Sequence, residues 1–559
     1  MRGRLRWRLF WPSLVLCGAS ALACAAQAQS VPQPMPANGA SDVSRTETPG
    51  FRGLPPGLAT SLTAGDLQLR NPDGTTVPGR VRVSAGQAVI EPLVPLVGCT
   101  TYTLALTSPS SERSRFTTAC SAWQPPTQID DSRTAHQVDL PVSGMQVVAT
   151  RDGGFVAVWF QDDAGRRAIL SARFNPETQS WSKPQALDLQ GPQAGSSSIP
   201  AIATDPQGRL TAVWFQAIDG RSAIFATRSE GPHGDRWRVP QRLDLPQLPG
   251  NATNPQLAAD AQGNVTVVWQ QPDGRHTAIY AAHWAQAQRR WLAAQRIDQG
   301  SANAYNPVIA ATPQGRVVAA WQQGAPGGES VYAASLPPNA RAWGAPGRLS
   351  PAGEVGVMPA LVATSQERIV AAWVQGRDAR RRIAVSPLQT TGHAAVARGG
   401  ALQLMQDPAF TGPALAPVLA ADAAGSLTLV WEQARSAQSG AVRDAILAAR
   451  HEHGASQWSA PQQIDDPTQR SAGNPVLAAD PAGHLWCAWY QDGPSGMQVQ
   501  TARYDVTHSR WQAPQTVSDP AVTVQASLPA LAVNAAGSLM VVWQQFNGWR
   551  TIAVARWLP

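Results

Sequence analysis

Six arginines recur at one place in a repeating pattern. Arg167, Arg221, Arg275, Arg382, Arg443 and Arg550 each follow, by no more than a dozen residues, the Trp of a Trp-x-Gln triplet. A guanidinium is a planar fork of donors that grips carboxylate, sulfate or phosphate groups bidentately. Six of them around one face would form an anion-preferring rim. Beside turn residues such as Asp219-Gly220, Asp273-Gly274 and Asn547-Gly548 they read equally as solvated turn cations. In two further copies the position changes: Glu329 stands there in one, and the other has no charge.

Other chemistry is thin. His451-Glu452-His453 has two metal-binding side chains but no third ligand nearby, so no metal site is expected. Asp162-Asp163 and Asp465-Asp466 read as turn and strand-end acids. No Gly-x-Ser-x-Gly elbow and no phosphate loop occurs, and Lys183 is the single lysine, which excludes Schiff-base and P-loop chemistry. No cofactor is expected. Cys487 lies in the apolar run Leu-Trp-Cys-Ala-Trp and reads as a buried, inert thiol.

The elements that must position these residues are short strands. The chain has 559 residues, of which 14% are charged against about 25% in an ordinary globular protein. Gly and Pro together supply 94 residues, and Trp, at 21, outnumbers Tyr at 6 and Phe at 10. The net charge of +7 includes Arg2, Arg4, Arg6 and Arg8 at the extreme N-terminus; without these four, 40 basic residues face 37 acidic ones. That balance argues against a nucleic-acid partner.

Residues 1–28 read as a secretory signal, with a basic start, an apolar stretch from Leu9 to Ala26, and Ala26-Gln27-Ala28 as a small-x-small cleavage site. Ala21-Leu22-Ala23-Cys24 is a loose lipobox, so lipid anchoring at Cys24 stays open as the alternative. No other stretch reaches the roughly 20 apolar residues that span a bilayer. The expected setting is therefore beyond the inner membrane: periplasm, cell surface or medium. Such a setting permits a disulfide between Cys99 and Cys120, which flank a probable hairpin.

From residue 122 the chain repeats itself. The Trp of the triplet falls at 159, 214, 269, 321, 373, 431, 489 and 543, and the Gln two residues later is present in every copy. Each copy, of about 55 residues, reads as four strands with a Gly turn between the first two, as in Asp205-Pro-Gln-Gly208. A second Trp (181, 237, 291, 343, 458, 511) opens the fourth. The last copy stops after its third strand, and a matching fourth appears ahead of the first copy: Ala122 to Asp131 parallels Gln457 to Asp466. A chain so divided is built to close a ring, which also removes open sheet edges. We expect an all-β chain with an eight-bladed β-propeller over 122–559, closed three-plus-one. The anchor Trp and Gln, present in all copies, are expected to be structural. Arg173, Arg228, Arg450, Arg503 and Arg556, which end third strands, are expected to stack on the second Trp across the hairpin. The fifth copy is the weakest, with Glu367 in place of the turn Gly.

Ahead of the repeats, residues 29–53 read as a flexible leader and 54–121 as a small β module. Asp73-Gly74 followed by Val77-Pro78-Gly79, then Pro92 to Leu96, Thr101-Tyr102-Thr103 and Phe116-Thr-Thr resemble the SbsA-type bacterial Ig-like domain. The resemblance implies a β-sandwich spacer without chemistry of its own.

The repeats resemble the sialidase and BNR-repeat superfamily, because the second Trp sits where the Trp of its Asp box sits, between strands three and four. The rest of Ser-x-Asp-x-Gly-x-x-Trp is degenerate, with only Gly234 supplying the Gly. What that resemblance implies is an arginine triad, a Tyr–Glu nucleophile pair and an acid. The residues that would serve are Tyr305 with Glu329 or Glu354, and Arg382 as an anion clamp. Two functions follow. One is an exported, non-enzymatic scaffold whose propeller face binds an anionic glycan or a protein. The other is a sialidase-like glycoside hydrolase, which would gather one off-symmetry acid cluster. The scarcity of asymmetric acids favours the scaffold.

Overall fold

A computed structural model describes residues 32–558 except for short stretches, the longest being 131–143; others include 56–61, 97–99, 108–111, 119–122, 437–441 and 547–549. The proposed signal, Cys24, Cys99 and Cys120 lie outside the described residues. No described helix is long and apolar enough to cross a membrane. The chain divides into two compact units, Met1–Ala119 and Cys120–Pro559.

The first unit has strands β1 (Gln33–Met35), β2 (Ala40–Val43), β3 (Gly50–Arg52), β4 (Leu67–Arg70), β5 (Gly79–Ser84), β6 (Gln87–Pro92), β7 (Thr101–Leu106) and β8 (Glu112–Thr118). They form two four-stranded sheets, in the orders β1-β3-β6-β5 and β2-β8-β7-β4. Period-two alternation builds one core from both: Leu67, Leu69, Tyr102, Leu104 and Phe116 from the second sheet meet Phe51, Ala88 and Ile90 from the first. The stretch 29–53, expected as a leader, is corrected here. Among its described residues β1 pairs with β3, β3 with β6 and β2 with β8, and Phe51 is fully buried. Pro- and Gly-rich segments of three or four residues carry too little periodicity to announce themselves.

The second unit is all-β, a succession of small antiparallel sheets with a single 3-10 turn, Asp378–Arg380, among the described residues. One copy shows the plan: Thr253–Ala259, Val265–Pro272 and Thr277–Ala285 pair in order, and the fourth position is two fragments, Arg290–Trp291 and Gln295–Arg296. The single fourth strand expected from sequence is thus broken, in several copies by a Pro such as Pro184 or Pro514 that cannot donate to the ladder. First strands pack side by side from copy to copy, and the last, Gln525–Val533, packs on the first, Gln146–Ala149. Thr127–Gln128 pairs with the final strand at Val554 and Ala553, as the split copy required. The arrangement is propeller-like.

Recurring contacts hold each copy together and tie it to its neighbours. All eight anchor tryptophans are fully buried. In six of them the indole N–H donates to the Gln two residues on, for example Trp431 to Gln433 Oε1 at 3.0 Å. The amide N–H of that Gln then donates to a carbonyl of the entering connection, as Gln216 does to Leu189 and Gln271 to Leu245, both at 2.9 Å.

Four of the five third-strand arginines reach farther than expected, while Arg173 pairs with Asp152 of its own copy. Arg228 lies 4.7 Å from the Trp284 ring, Arg450 5.0 Å from Tyr504 and Arg503 5.2 Å from Trp557, each in the next copy. Arg556 lies 5.0 Å from Phe174 and so joins the last copy to the first. The hairpin stacking expected for them is made instead by those aromatics, with Phe174–Trp181, Trp284–Trp291 and Tyr504–Trp511 centroids 5.5 to 5.8 Å apart. Glu367 takes the turn position at φ 63°, where other copies have Gly, and its carboxylate accepts from Gln314 N of the preceding copy at 2.8 Å. That bond offsets the left-handed backbone.

Candidate functional site

The inner strands depart from regularity at one point in each copy. Gly144, Ile199, Asn254, Asn306, Met358, Ala416, Asn474 and Leu528 all have positive φ, between 48° and 97°. They follow one another at the spacing of the anchor tryptophans, and each one after Gly144 precedes a proline. From Ile199 onward the residue and its proline together oppose a single anchor Trp, which is a β-bulge. Left-handed backbone at a non-glycine residue costs about 1–3 kcal/mol and persists only where packing over-determines it. Here the proline is buried while Asn306, Met358 and Asn474 are exposed. In these three copies the bulge therefore turns a side chain towards solvent, and Ile199, Asn254, Ala416 and Leu528 are half-buried. The sequence signal, X-Pro at a fixed offset before Trp, is present, but X-Pro ordinarily marks extended backbone, so sequence reasoning missed it.

The bulge also releases an N–H from the ladder. It is taken up by the middle residue of Trp-x-Gln in the preceding copy: Asn306 N donates to Gln270 Oε1 and Met358 N to Gln322 Oε1, both at 3.0 Å, and Asn474 N donates to Glu432 Oε1 at 2.5 Å. This middle position breaks the symmetry, reading Phe160, Phe215, Gln270, Gln322, Val374, Glu432, Tyr490 and Gln544.

The third and fourth copies form a polar arc. Gln270 donates to Thr253 Oγ1 at 3.2 Å, Asn254 to Asn306 Oδ1 at 3.4 Å, and Asn306 to Gln322 Oε1 at 3.2 Å. Tyr305, which precedes Asn306 and pairs with Gln322, donates its phenol to Glu329 Oε1 at 2.7 Å. Burial, then the hydrogen bond and charge of Glu329, push that phenol up to about 12, so it keeps its proton at neutral pH. Glu354 is exposed in the connection to the next copy, its N–H closing a turn on Pro351 O, and no described contact joins it to Tyr305.

A second off-symmetry cluster lies on the sixth and seventh copies. Asp444 pairs with Ala434, so it is a diagonal neighbour of Glu432 on the same face. Burial raises both carboxyls above the usual range, and for Glu432 the charge of Asp444 adds to it. The Tyr490 phenol is raised by burial and then by Glu432, Asp444 and Asp492. Its hydroxyl lies over Gly473, where a Cβ would come within 2.6 Å of it. Among the described residues no three His, Cys, Asp or Glu gather as a metal site.

The loops between second and third strands share one end of the sheets with the entering connections, for their backbones bond together: Ala252 N to Ser222 O, Gly356 N to Glu329 O, Ala414 N to Arg381 O. The arginines of these loops are differently employed. Arg221 donates to Leu248 O at 2.8 Å, Arg382 to Arg381 O at 2.8 Å and Ala379 O at 3.1 Å, and Arg443 to Gln469 O at 3.5 Å. Arg167 lies 5.9 Å from the Phe160 ring. Arg275 is exposed, and the side chain of Arg550 lies outside the described residues.

At the opposite end the Arg–aromatic contact lapses between the third and fourth copies, where His283 and Leu336 stand in its place. A cleft of about 320 Å³ opens there, bordered by Asp260, Asn264, His283 and Arg341. Burial holds the His283 imidazole below its ordinary value, and Nδ1 meets Thr266 Oγ1 at 2.9 Å.

No family model matches the chain, and no curated protein does. Several solved structures are similar to it at low identity. They include an ulvan lyase of a polysaccharide lyase family bound to its sugar (9% identity, 78% of this chain and 95% of that one, TM-score 0.45). Another is an α-L-arabinofuranosidase of Fusarium graminearum (14%, 59% and 98%, 0.38). A third is the sialidase NanB of Streptococcus pneumoniae (8%, 88% and 92%, 0.36).

Proposed function

We propose that residues 122–559 form an eight-bladed β-propeller, closed three-plus-one, in an exported protein whose inner rim binds a glycan. The first unit is read as its Ig-like companion. One observation carries the binding assignment: the bulges leave a series of side chains exposed (Asn306, Met358, Asn474) or half-buried (Ile199, Asn254, Ala416, Leu528), and its asymmetric part is amide-rich. Asn254, Asn306 and Asn474 offer donors and acceptors to sugar hydroxyls, and Ile199, Met358 and Leu528 offer apolar surface to sugar C–H faces. Such a mixture of apolar lining and a few placed polar groups typifies ligand sites. Arg275, exposed and with no side-chain hydrogen bond among the described residues, is the member of the set assigned to an acidic substituent. Arg167, Arg221, Arg382, Arg443 and Arg550 are assigned to shaping the rim, with ligand contact secondary.

A second reading is favoured by the Tyr305–Glu329 pair. A carboxylate within hydrogen-bonding reach of a phenol can take its proton as the phenol oxygen bonds the anomeric carbon and the glycosidic C–O bond breaks, the departing oxygen taking a proton from solvent; water then hydrolyses the glycosyl–phenol bond. In that reading the protein is a glycoside hydrolase, and Tyr305 and Glu329 are nucleophile and base. The test is a glycan-array screen of the mature chain, followed by assay of each hit for released sugar. We expect Asn306→Ala and Asn254→Ala each to weaken binding several-fold. Binding unchanged in both variants would remove the rim from consideration. Released sugar that disappears in Tyr305→Phe, with binding kept, would establish the hydrolytic reading.

A further inference from the structure

The first unit, expected to be a spacer, carries a cleft of about 690 Å³ on the outer face of the β2-β8-β7-β4 sheet. Three arginines border it: Arg70, Arg113 and Arg115. Strand register explains why they converge. Arg70 pairs with Thr103, and Thr103 pairs with Arg115, so the two guanidinium stems flank one residue across three strands. At the usual strand spacing that places them about 10 Å apart. Arg113 is two residues from Arg115 on the same face, roughly 7 Å along the strand, and opposite Ala105. The small residues Thr103 and Ala105 form the floor, and the arginines stand around it.

The charge in this cleft is not neutralised from within. Among the described residues its border contains no Asp or Glu. Arg70 is held by the neutral Gln68 Oε1, at 2.7 Å from Nη2 and 3.2 Å from Nε. Arg113 and Arg115 are exposed, and neither guanidinium has a hydrogen-bond or ion-pair partner among the described residues. The acid of the adjoining turn, Asp73, is engaged elsewhere: its Oδ1 accepts from Thr75 N at 2.9 Å and Thr75 Oγ1 at 2.6 Å. Neutral hydrogen-bonding groups complete the border in Asn38, Asn71 and Thr103.

We infer that this cleft is a binding site for an acidic oligosaccharide, one carrying carboxylate or sulfate groups along a hydroxylated chain. Three forked cations match spaced oxyanions, and the Asn and Thr groups match sugar hydroxyls. Among the described residues the border has no aromatic side chain to serve as the stacking platform that single-stranded nucleic acid requires. The site belongs to the first unit, and the inference does not depend on the rim assigned above.

The test uses the full mature chain and four immobilised probes: a polyuronate, a sulfated polysaccharide, a neutral glucan and a single-stranded DNA. Binding to one or both acidic polysaccharides is expected, weakening with salt, with neither glucan nor DNA retained. The double variant Arg113→Ala/Arg115→Ala should lose at least tenfold in affinity, the value of about 1.4 kcal/mol. Its melting temperature should be that of the parent, because both side chains lie on an exposed face. Asn306→Ala, in the other unit, should bind these probes as the parent does, which separates failure here from failure of the rim. Equal binding by the double variant, or DNA retained as well as the polyacids, would overturn the assignment. If carboxylate and sulfate probes differ, the tighter one names the anion.

Discussion

Arginine is put to opposite uses in the two units. In the repeat unit nearly every functional-looking guanidinium is already occupied. Arg228, Arg450, Arg503 and Arg556 bridge to an aromatic ring of the next copy, and Arg221, Arg382 and Arg443 hold loop carbonyls. In the first unit Arg113 and Arg115 face solvent without a described partner. The difference teaches that recurrence in a repeat marks a structural job. Charge left over after the fold is satisfied is the better guide to ligands.

The sharpest way to test this is to remove one arginine of each kind. Arg450 is buried against Asp422 at 2.6 Å, bonds Thr428 and stacks on Tyr504. Arg450→Ala strands the Asp422 carboxylate and should cost about 3 kcal/mol in chemical denaturation. Arg113→Ala should cost under about 0.5 kcal/mol in the same assay. Equal costs would erase the distinction.

A smaller effect tests the bulges. Gln322→Leu removes the acceptor of Met358 N while keeping the bulge, and should destabilise by about 1 kcal/mol, since water reaches the freed group. A loss of several kcal/mol would mean that the side chain holds the bulge in place.

Glu432 gives a pH signature that no arginine of the first unit can give. Its carboxyl is raised in the folded chain, so the folded state binds the extra proton. That stability is complete below the ordinary carboxylate pKa, near 4, and is lost as pH rises through the folded value. Glu432→Gln keeps the acceptor for Asn474 N. It should raise the melting temperature at pH 7 relative to the parent, and raise it less at pH 4. The reverse trend would mean that Glu432 is stabilised as its anion. The smallest change expected is from Ala416→Gly. Relief of a left-handed alanine, about 1–2 kcal/mol, is offset by glycine's entropy, leaving a gain of about 0.5 kcal/mol.

Much of the repeat unit was legible because its signals are local and multiplied. Trp431 and Gln433 recur in every copy, and the split fourth strand at Thr127–Gln128 could be matched to Gln462–Gln463 by eye. What was not legible depends on neighbours. That Arg228 meets Trp284 rather than Trp237 is decided by packing between copies, which hairpin spacing cannot reveal. Ile199, Asn306 and Ala416 share no side-chain chemistry, so their common left-handed backbone is written only in the following proline. Tyr305 and Glu329 were paired by resemblance, and their hydrogen bond depends on a loop returning to the inner strand. In the first unit, β1 to β3 were hidden by brevity, and the cationic cleft by register: Arg70 and Arg115 are far apart in sequence and meet only through Thr103.

The clasp formed by Thr127–Gln128 on the final strand has a kinetic consequence. More than 400 residues separate its two halves, as between Asp130 and Ile552, so the last pairing cannot form until the intervening chain is in place. Long-range closure of this kind slows folding, because loop entropy is lost before any contact rewards it. It acts in reverse on opening. An array with free ends frays from its terminal repeats, whereas a clasped ring has no terminal repeat to release. Interactions made only at closure should therefore slow unfolding more than they speed folding, and the clasp should set how long the closed ring persists once formed.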